Sequence, residues 1–233
     1  MRVLHHYPLC PFSRKVRMCL AEKKLDFAPE TENFWEKKPE FTSLNPLGYV
    51  PVLVDLNGSV LADSTAIAEY LEEAYPDRKL YPDERLARAE VRRLMAWFDT
   101  RFAQEVSLVI LWEKVIKRMI NQNLGHTNTG HSNTGPDSSL IRQTKNTLIN
   151  HMEYITWLVD RRNWLAGDHF SVADIAAAAH ISVVDYFGDI NWDKFESVKS
   201  WFMRIKSRPS YRGFFNDRVP AITPAPHYAE LDF

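Results

Sequence analysis

Apolar positions along the chain change period several times, and each change marks an element. Residues 2–7 predict a short strand, after which Val16, Cys19, Leu20 and Lys23 fall on one face at helical spacing and predict a helix over 12–23. The apolar stretch 25–28 predicts a second strand, and 34–38 reads as either a short helix or an irregular loop ended by Pro39. The run Val50-Pro51-Val52-Leu53-Val54 suits a buried strand starting after Pro51. Asn57-Gly58 supplies the positive φ of a tight turn, and Val60-Leu61-Ala62 returns as the hairpin partner. Asp63-Ser64 then opens a helix over 65–75 with Ile67, Ala68, Leu71 and Ala74 as its apolar stripe. The first part of the chain therefore reads βαβ, a connector, then ββα.

From Glu84 the strand signal disappears. Leu86-Ala87, Val91, Leu94-Met95, Phe98, Phe102 and Val106 recur at steps of three and four, predicting one long helix to about residue 120 with a bend. Pro76 and Pro82 place a domain boundary within 76–83. Gly125-His126-Thr127-Asn128-Thr129 is nearly repeated as Gly130-His131-Ser132-Asn133-Thr134, a duplicated polar stretch in which two histidines have no carboxylate or thiol to complete a metal site. It predicts a mobile loop. Helix resumes over 138–163. Ser171 with Asp174 three residues on resembles a capping box, with Phe170 and Ile175 placed for a hydrophobic staple. The small residues 176–179 mark a buried central helix, in which His180 reads as a satisfied core residue rather than a ligand. A last amphipathic helix spans 194–207 and stops before Pro209. The closing segment is proline-rich and extended; it is either a peptide motif for a partner or a tail packed along the body.

Composition narrows the classes. With 233 residues, 45% hydrophobic, the chain can bury a large core. A net charge of −1 argues against nucleic-acid binding through phosphate neutralisation, and Arg88, Arg92 and Arg93 read as a solvated helix face. Two cysteines, Cys10 and Cys19, make no disulfide framework, so a reducing, cytoplasmic setting and no metal are expected. No window is apolar enough for a membrane span.

The candidate chemistry lies at Cys10, between the first strand and the first helix. Unpaired N–H groups and the helix dipole favour a thiolate there, which makes it a possible reaction centre. The alternative is a small buried hydrophobe in a strand-to-helix turn.

The βαβ-ββα unit, with Val50-Pro51 before a strand and Asp63-Ser64 opening a helix, followed by an all-helical region, resembles the cytosolic glutathione transferases. The resemblance implies a thioredoxin-like α/β N-terminal domain over 1–77, an all-α C-terminal domain over 84–216 and an extended tail over 217–233. It also implies that Pro51 is a cis-proline and that Val50, Pro51, Asp63 and Ser64 bind glutathione as a possible co-substrate. Asp63 stands where Glu is more usual. Cys10-Pro11-Phe12 is similar to omega-type transferases, and Cys10-Pro11-Phe12-Ser13 to monothiol glutaredoxins. Cys10 and Ser13 are then the catalytic candidates, Cys10 forming a mixed disulfide with glutathione.

The runs 10–17, 91–99 and 164–168 and the end His227-Tyr228-Ala229-Glu230-Leu231-Asp232-Phe233 carry a narrower resemblance, to transferase-fold cell-division proteins of alphaproteobacteria that bind FtsZ filaments. That resemblance implies a homodimer acting by binding, with Tyr228, Leu231, Asp232 and Phe233 as candidate partner-binding residues. Two functions follow: an FtsZ-binding protein, or a glutathione-dependent transferase or thiol transferase. Conjugation of electrophiles is a weaker third.

Overall fold

The computed structural model describes residues 1–123 and 135–231. The N-terminal half holds a four-stranded sheet in the order β2-β1-β3-β4, formed by β1 (Arg2–His6), β2 (Phe27–Thr31), β3 (Val52–Val54) and β4 (Val60–Ala62). β1 runs parallel to β2, with Arg2 opposite Phe27, and antiparallel to β3. The parallel pair is joined through α1 (Pro11–Glu22), as a parallel crossover requires. Gly58, at φ 81, turns the β3–β4 hairpin.

Two connections differ from the sequence reading. β2 begins at Phe27 rather than at residue 25, because Lys23 and Lys24 form the helix-ending turn and Lys24 sits at φ 55. As the edge strand β2 also tolerates Pro29, whose missing donor is not needed on the outer side. The 34–38 stretch does hold a short 3-10 helix, Phe34–Glu36, but Pro39 starts the next element, occupying the first turn of α2 (Pro39–Leu44), where its fixed φ suits the helix and its absent N–H would have had no partner.

α3 (Ser64–Ala74) is capped by Asp63, whose Oδ1 accepts from the N–H groups of Thr65 at 2.7 Å and Ala66 at 3.0 Å. α4 (Arg85–Trp97) then runs into the helical domain. Its path continues through wider π-helical turns at Phe98–Ser107 and Trp112–Ile116, with α5 (Leu108–Leu111) between them and α6 (Lys117–Asn123) after. These π-type turns interrupt the regular α-helix at the place where the sequence reading put a bend, and such insertions are a common cause of helix distortion. The polar repeat of residues 125–134 lies outside the described residues.

α7 (Ser138–Val159) starts at Asp137, which caps it through Ser139 and Leu140. α8 (Val172–Tyr186) is the centre of the domain, buried at every position. Ser171 and Asp174 form the capping box, and Asp174 also accepts from the Leu165 N–H and from Trp201 Nε1, both at 3.0 Å. α9 (Glu196–Lys206) buries Val198, Trp201, Phe202 and Ile205.

The two regions are fastened by charge as well as by packing. α1 packs on both α3 and α8. Lys15, fully buried in α1, pairs with Asp99 of the first π-helical turn and donates to Thr65 Oγ1 of α3 at 3.2 Å. His180 Nε2 lies 3.2 Å from the other Asp99 oxygen, and His180 Nδ1 lies 2.7 Å from Ser107 Oγ. His180 is therefore the satisfied core residue that the sequence suggested. Arg92 bridges the same boundary on the surface, meeting Glu69 through two 2.8 Å hydrogen bonds.

The C-terminal segment packs along the body. The Ala225 N–H donates to Tyr186 O at 2.8 Å, and Tyr228 is fully buried, its ring 5.0 Å from that of Tyr186. Gly188, at φ 67, is pressed by this segment: a Cβ there would stand 3.2 Å from the Ala225 methyl. Among the described residues no helix is long and apolar enough to cross a membrane.

Candidate functional site

Cys10 occupies the N-cap position of α1 without a side-chain cap, directly after the strand-end turn in which its N–H donates to Tyr7 O at 3.0 Å. Pro11 occupies the first helical position, so the chain enters α1 with φ already set. A cavity of about 900 Å³ opens beside the thiol. Its N-terminal wall includes Cys10, Phe12, Val50, Pro51, Asp63 and Ser64, and its C-terminal wall includes Leu108, Trp112, Ile116 and Leu140. Residues expected from the sequence to work together thus share one cavity. The Val50–Pro51 bond is cis.

Asp63 holds φ 75, a region that non-glycine residues adopt rarely and that strains the backbone. Its position combines two tasks: a carboxylate oxygen caps α3, and the residue lines the cavity next to Ser64, which is buried at the helix start. The N-terminus of α3 therefore faces the cavity with the partial positive charge expected of unpaired N–H groups.

Ser13 does not line this cavity. It is fully buried, and its Oγ accepts from the Tyr7 N–H at 3.3 Å, so its hydroxyl ties the end of β1 to α1. The Ser13 backbone and hydroxyl and the Phe12 N–H do favour a Cys10 thiolate, as does the Arg14 charge. Desolvation outweighs all of them, because Cys10 is only 4% exposed, and the thiol pKa is raised above its ordinary value. Sequence reasoning named both the helix-terminus effect and a buried place in the strand-to-helix turn and left their balance open; burial prevails.

It missed the charged residues just behind the thiol. Arg14, at 0% exposure, donates to Pro8 O at 2.8 Å, Ser182 Oγ at 2.7 Å and Asp217 Oδ2 at 3.0 Å, and its guanidinium lies 4.8 Å from the Phe214 ring centroid. Arg17 meets the same Asp217 oxygen at 2.8 Å. The sequence carries no local signal for this, since the partners are brought together only by the fold.

The tail candidates divide. Tyr228 is an anchor, its hydroxyl donating to Phe214 O at 3.2 Å, while Leu231 is 45% exposed. Asp232 and Phe233 lie outside the described residues. His227 Nε2 lies 2.9 Å from Asp185 Oδ1 beneath the tail, adding a polar tie.

Comparison with known proteins follows this geometry closely. The N-terminal domain model of glutathione S-transferase matches residues 9–74, and the C-terminal domain model matches residues 150–209. FtsZ-localized protein A of Caulobacter vibrioides is 44% identical over 235 residues, covering 100% of this chain and 98% of that protein. A glutathione S-transferase from Rhodospirillum rubrum F11 superposes with a TM-score of 0.92 at 45% identity, covering 100% of each chain. The structure of FzlA from C. crescentus superposes with the same TM-score of 0.92 at 44% identity, covering 100% of this chain and 99% of that one.

Proposed function

The chain belongs to the glutathione S-transferase family, and from that premise we propose that it is a cell-division protein that binds FtsZ filaments in the bacterial cytoplasm. The observation that carries this reading is the 44% identity to FtsZ-localized protein A across all of this chain, tail included. The thiol supports the same reading from the chemical side. A buried cysteine whose pKa is raised holds little thiolate at neutral pH, and thiolate is the nucleophile in disulfide exchange.

The tail contributes through its end. Tyr228 locks the segment into the body, so contact with a filament belongs to exposed Leu231 and to Asp232 and Phe233 beyond it. The protein acts as a homodimer in this reading. A groove of about 740 Å³ between the α4 path and α7, lined in part by Trp97, Thr144, Thr147 and Tyr154, is the candidate surface for the second copy.

A second reading, a glutathione-dependent transferase or thiol transferase, is favoured by one specific observation. Val50, Pro51, Asp63 and Ser64 line the same cavity as Cys10, and the donor set suits a peptide thiol. Val50 offers backbone groups, Ser64 and the start of α3 suit a carboxylate, and Asp63 suits an ammonium group. These residues would hold glutathione, which would supply the second thiol that Ser13 does not. Co-sedimentation with polymerised FtsZ, run beside retention on immobilised glutathione, tests the two readings together. Pelleting with filaments supports the first; retention on glutathione with no filament association at micromolar protein replaces it with the second.

A further inference from the structure

Among the described residues, a cluster of side chains outside the cavity has the composition and spacing of a metal site. We propose that His5, Glu30 and Glu32 bind a divalent transition-metal ion on the sheet face near its β2 edge.

The placement follows from strand register. β1 and β2 pair in parallel with His5 directly opposite Glu30. Side chains alternate along a strand, so Glu32, two residues beyond Glu30, returns to the face shared by His5 and Glu30. The Glu32 N–H donates to His6 O at 2.8 Å, which continues the ladder past the end of β2 and fixes the third backbone position as firmly as the other two. Three potential ligands therefore rise from paired backbone rather than from a loop.

The side chains converge. His5 Nδ1 lies 3.3 Å from Glu32 Oε1 and 3.7 Å from Glu30 Oε2, and one ligand atom from each residue lies within 4.8 Å of the others. Bonds of about 2.0–2.2 Å to a common ion set neighbouring ligand atoms about 3.0–3.5 Å apart. The two glutamates, each with three side-chain torsions, need to close from within 4.8 Å by up to roughly 1.5 Å to satisfy that geometry.

One imidazole nitrogen with two carboxylates suits Zn²⁺ or a related first-row dication better than Mg²⁺ or Ca²⁺, which favour all-oxygen sets. Two carboxylates also match a doubly charged ion. The His5 and Glu32 side chains are 12% and 16% exposed while Glu30 is 58% exposed, giving two sheltered ligands and one at the solvent rim. Phe41 lies beside the imidazole, the two rings tilted at 41° with centroids 6.0 Å apart, and limits the directions from which water reaches it. None of the three ligands lines the cavity at Cys10. An ion held here cross-links the exposed edge strand to β1, so binding stabilises the folded chain.

The test is a calorimetric titration of the metal-free, full-length chain with zinc chloride, together with thermal unfolding with and without zinc. The wild type is expected to bind one ion at this site and to unfold at a higher temperature when zinc is present. Glu30→Gln, a change at an exposed position, and His5→Ala are each expected to weaken that event by roughly tenfold or more and to remove the thermal shift. A variant carrying His126→Asn and His131→Asn is expected to retain both. Absence of binding, or binding equally tight in wild type, Glu30→Gln and His5→Ala, overturns the proposal.

Discussion

Arg14 of α1 donates to Asp217 Oδ2 at 3.0 Å, and this buried pair fastens the helix that begins at Cys10 to the start of the C-terminal segment. The guanidinium has no solvent to replace a lost partner, and Arg17 depends on the same oxygen. Breaking a buried pair from one side leaves an uncompensated charge, which typically costs about 3–5 kcal/mol. Asp217→Ala is therefore expected to lower the urea unfolding free energy by about that much and to speed proteolysis of the tail. A loss below about 1 kcal/mol would show that Pro8 and Ser182 alone satisfy Arg14.

The Lys15–Asp99 pair makes a similar prediction between domains. Asp99 holds the Lys15 ammonium, and its other oxygen meets His180. Its carboxyl stays below the ordinary range despite burial, because Lys15 and His180 offset desolvation. Asp99→Ala is expected to cost about 3 kcal/mol or more, and to uncouple unfolding of the sheet region from that of the helical region. Coincident fluorescence and circular-dichroism transitions in that variant would contradict the coupling.

His6 gives the acid limb of stability a defined shape. Burial, reinforced by the nearby Arg17 charge, lowers its pKa from 6.5 to about 4, and its Nδ1 lacks a hydrogen-bond partner. The unfolded chain binds a proton more readily than the folded one in this window. The contribution is thus fully present above pH 6.5 and is lost as pH falls through 6.5 toward about 4, amounting to about 3 kcal/mol. His6→Asn removes that titration, so the difference between wild-type and variant unfolding free energies should shift by about this amount across the window. A pH-independent difference would refute the assignment.

The raised pKa of Cys10 is directly measurable. Alkylation by iodoacetamide, followed by mass spectrometry of the Cys10 peptide, is expected to be at least roughly tenfold slower at neutral pH than for an unstructured cysteine. Its rate should still be rising above the ordinary thiol pKa. A rate that levels off below neutrality would mark an activated thiolate and favour the enzymatic reading.

The sequence revealed most where physics is local. Strand and helix periods, the Asn57-Gly58 turn, the Asp63 and Ser171 caps and the buried run 176–179 are all decided within a few residues, and the structure has them nearly where the pattern put them. Pro39 is ambiguous in the sequence because proline both stops and starts helices, and only the following residues decide which. The four cavity residues Val50, Pro51, Asp63 and Ser64 were legible through family resemblance. The burial of Cys10, by contrast, depends on neighbours distant in the chain, and so does the environment of Arg14. The same limit hid the cluster of His5, Glu30 and Glu32, which strand register assembles from two separate stretches. Tyr228 looked like part of a partner motif, and its burial against Tyr186 gives it a structural duty instead.

The central claim is that filament binding does not require thiol chemistry. Its most direct test is co-sedimentation of wild type and Cys10→Ser with polymerised FtsZ at micromolar protein. Both are expected to pellet with filaments to the same extent. Failure of the wild type to pellet, or loss of pelleting in Cys10→Ser while the variant remains folded, would contradict the account.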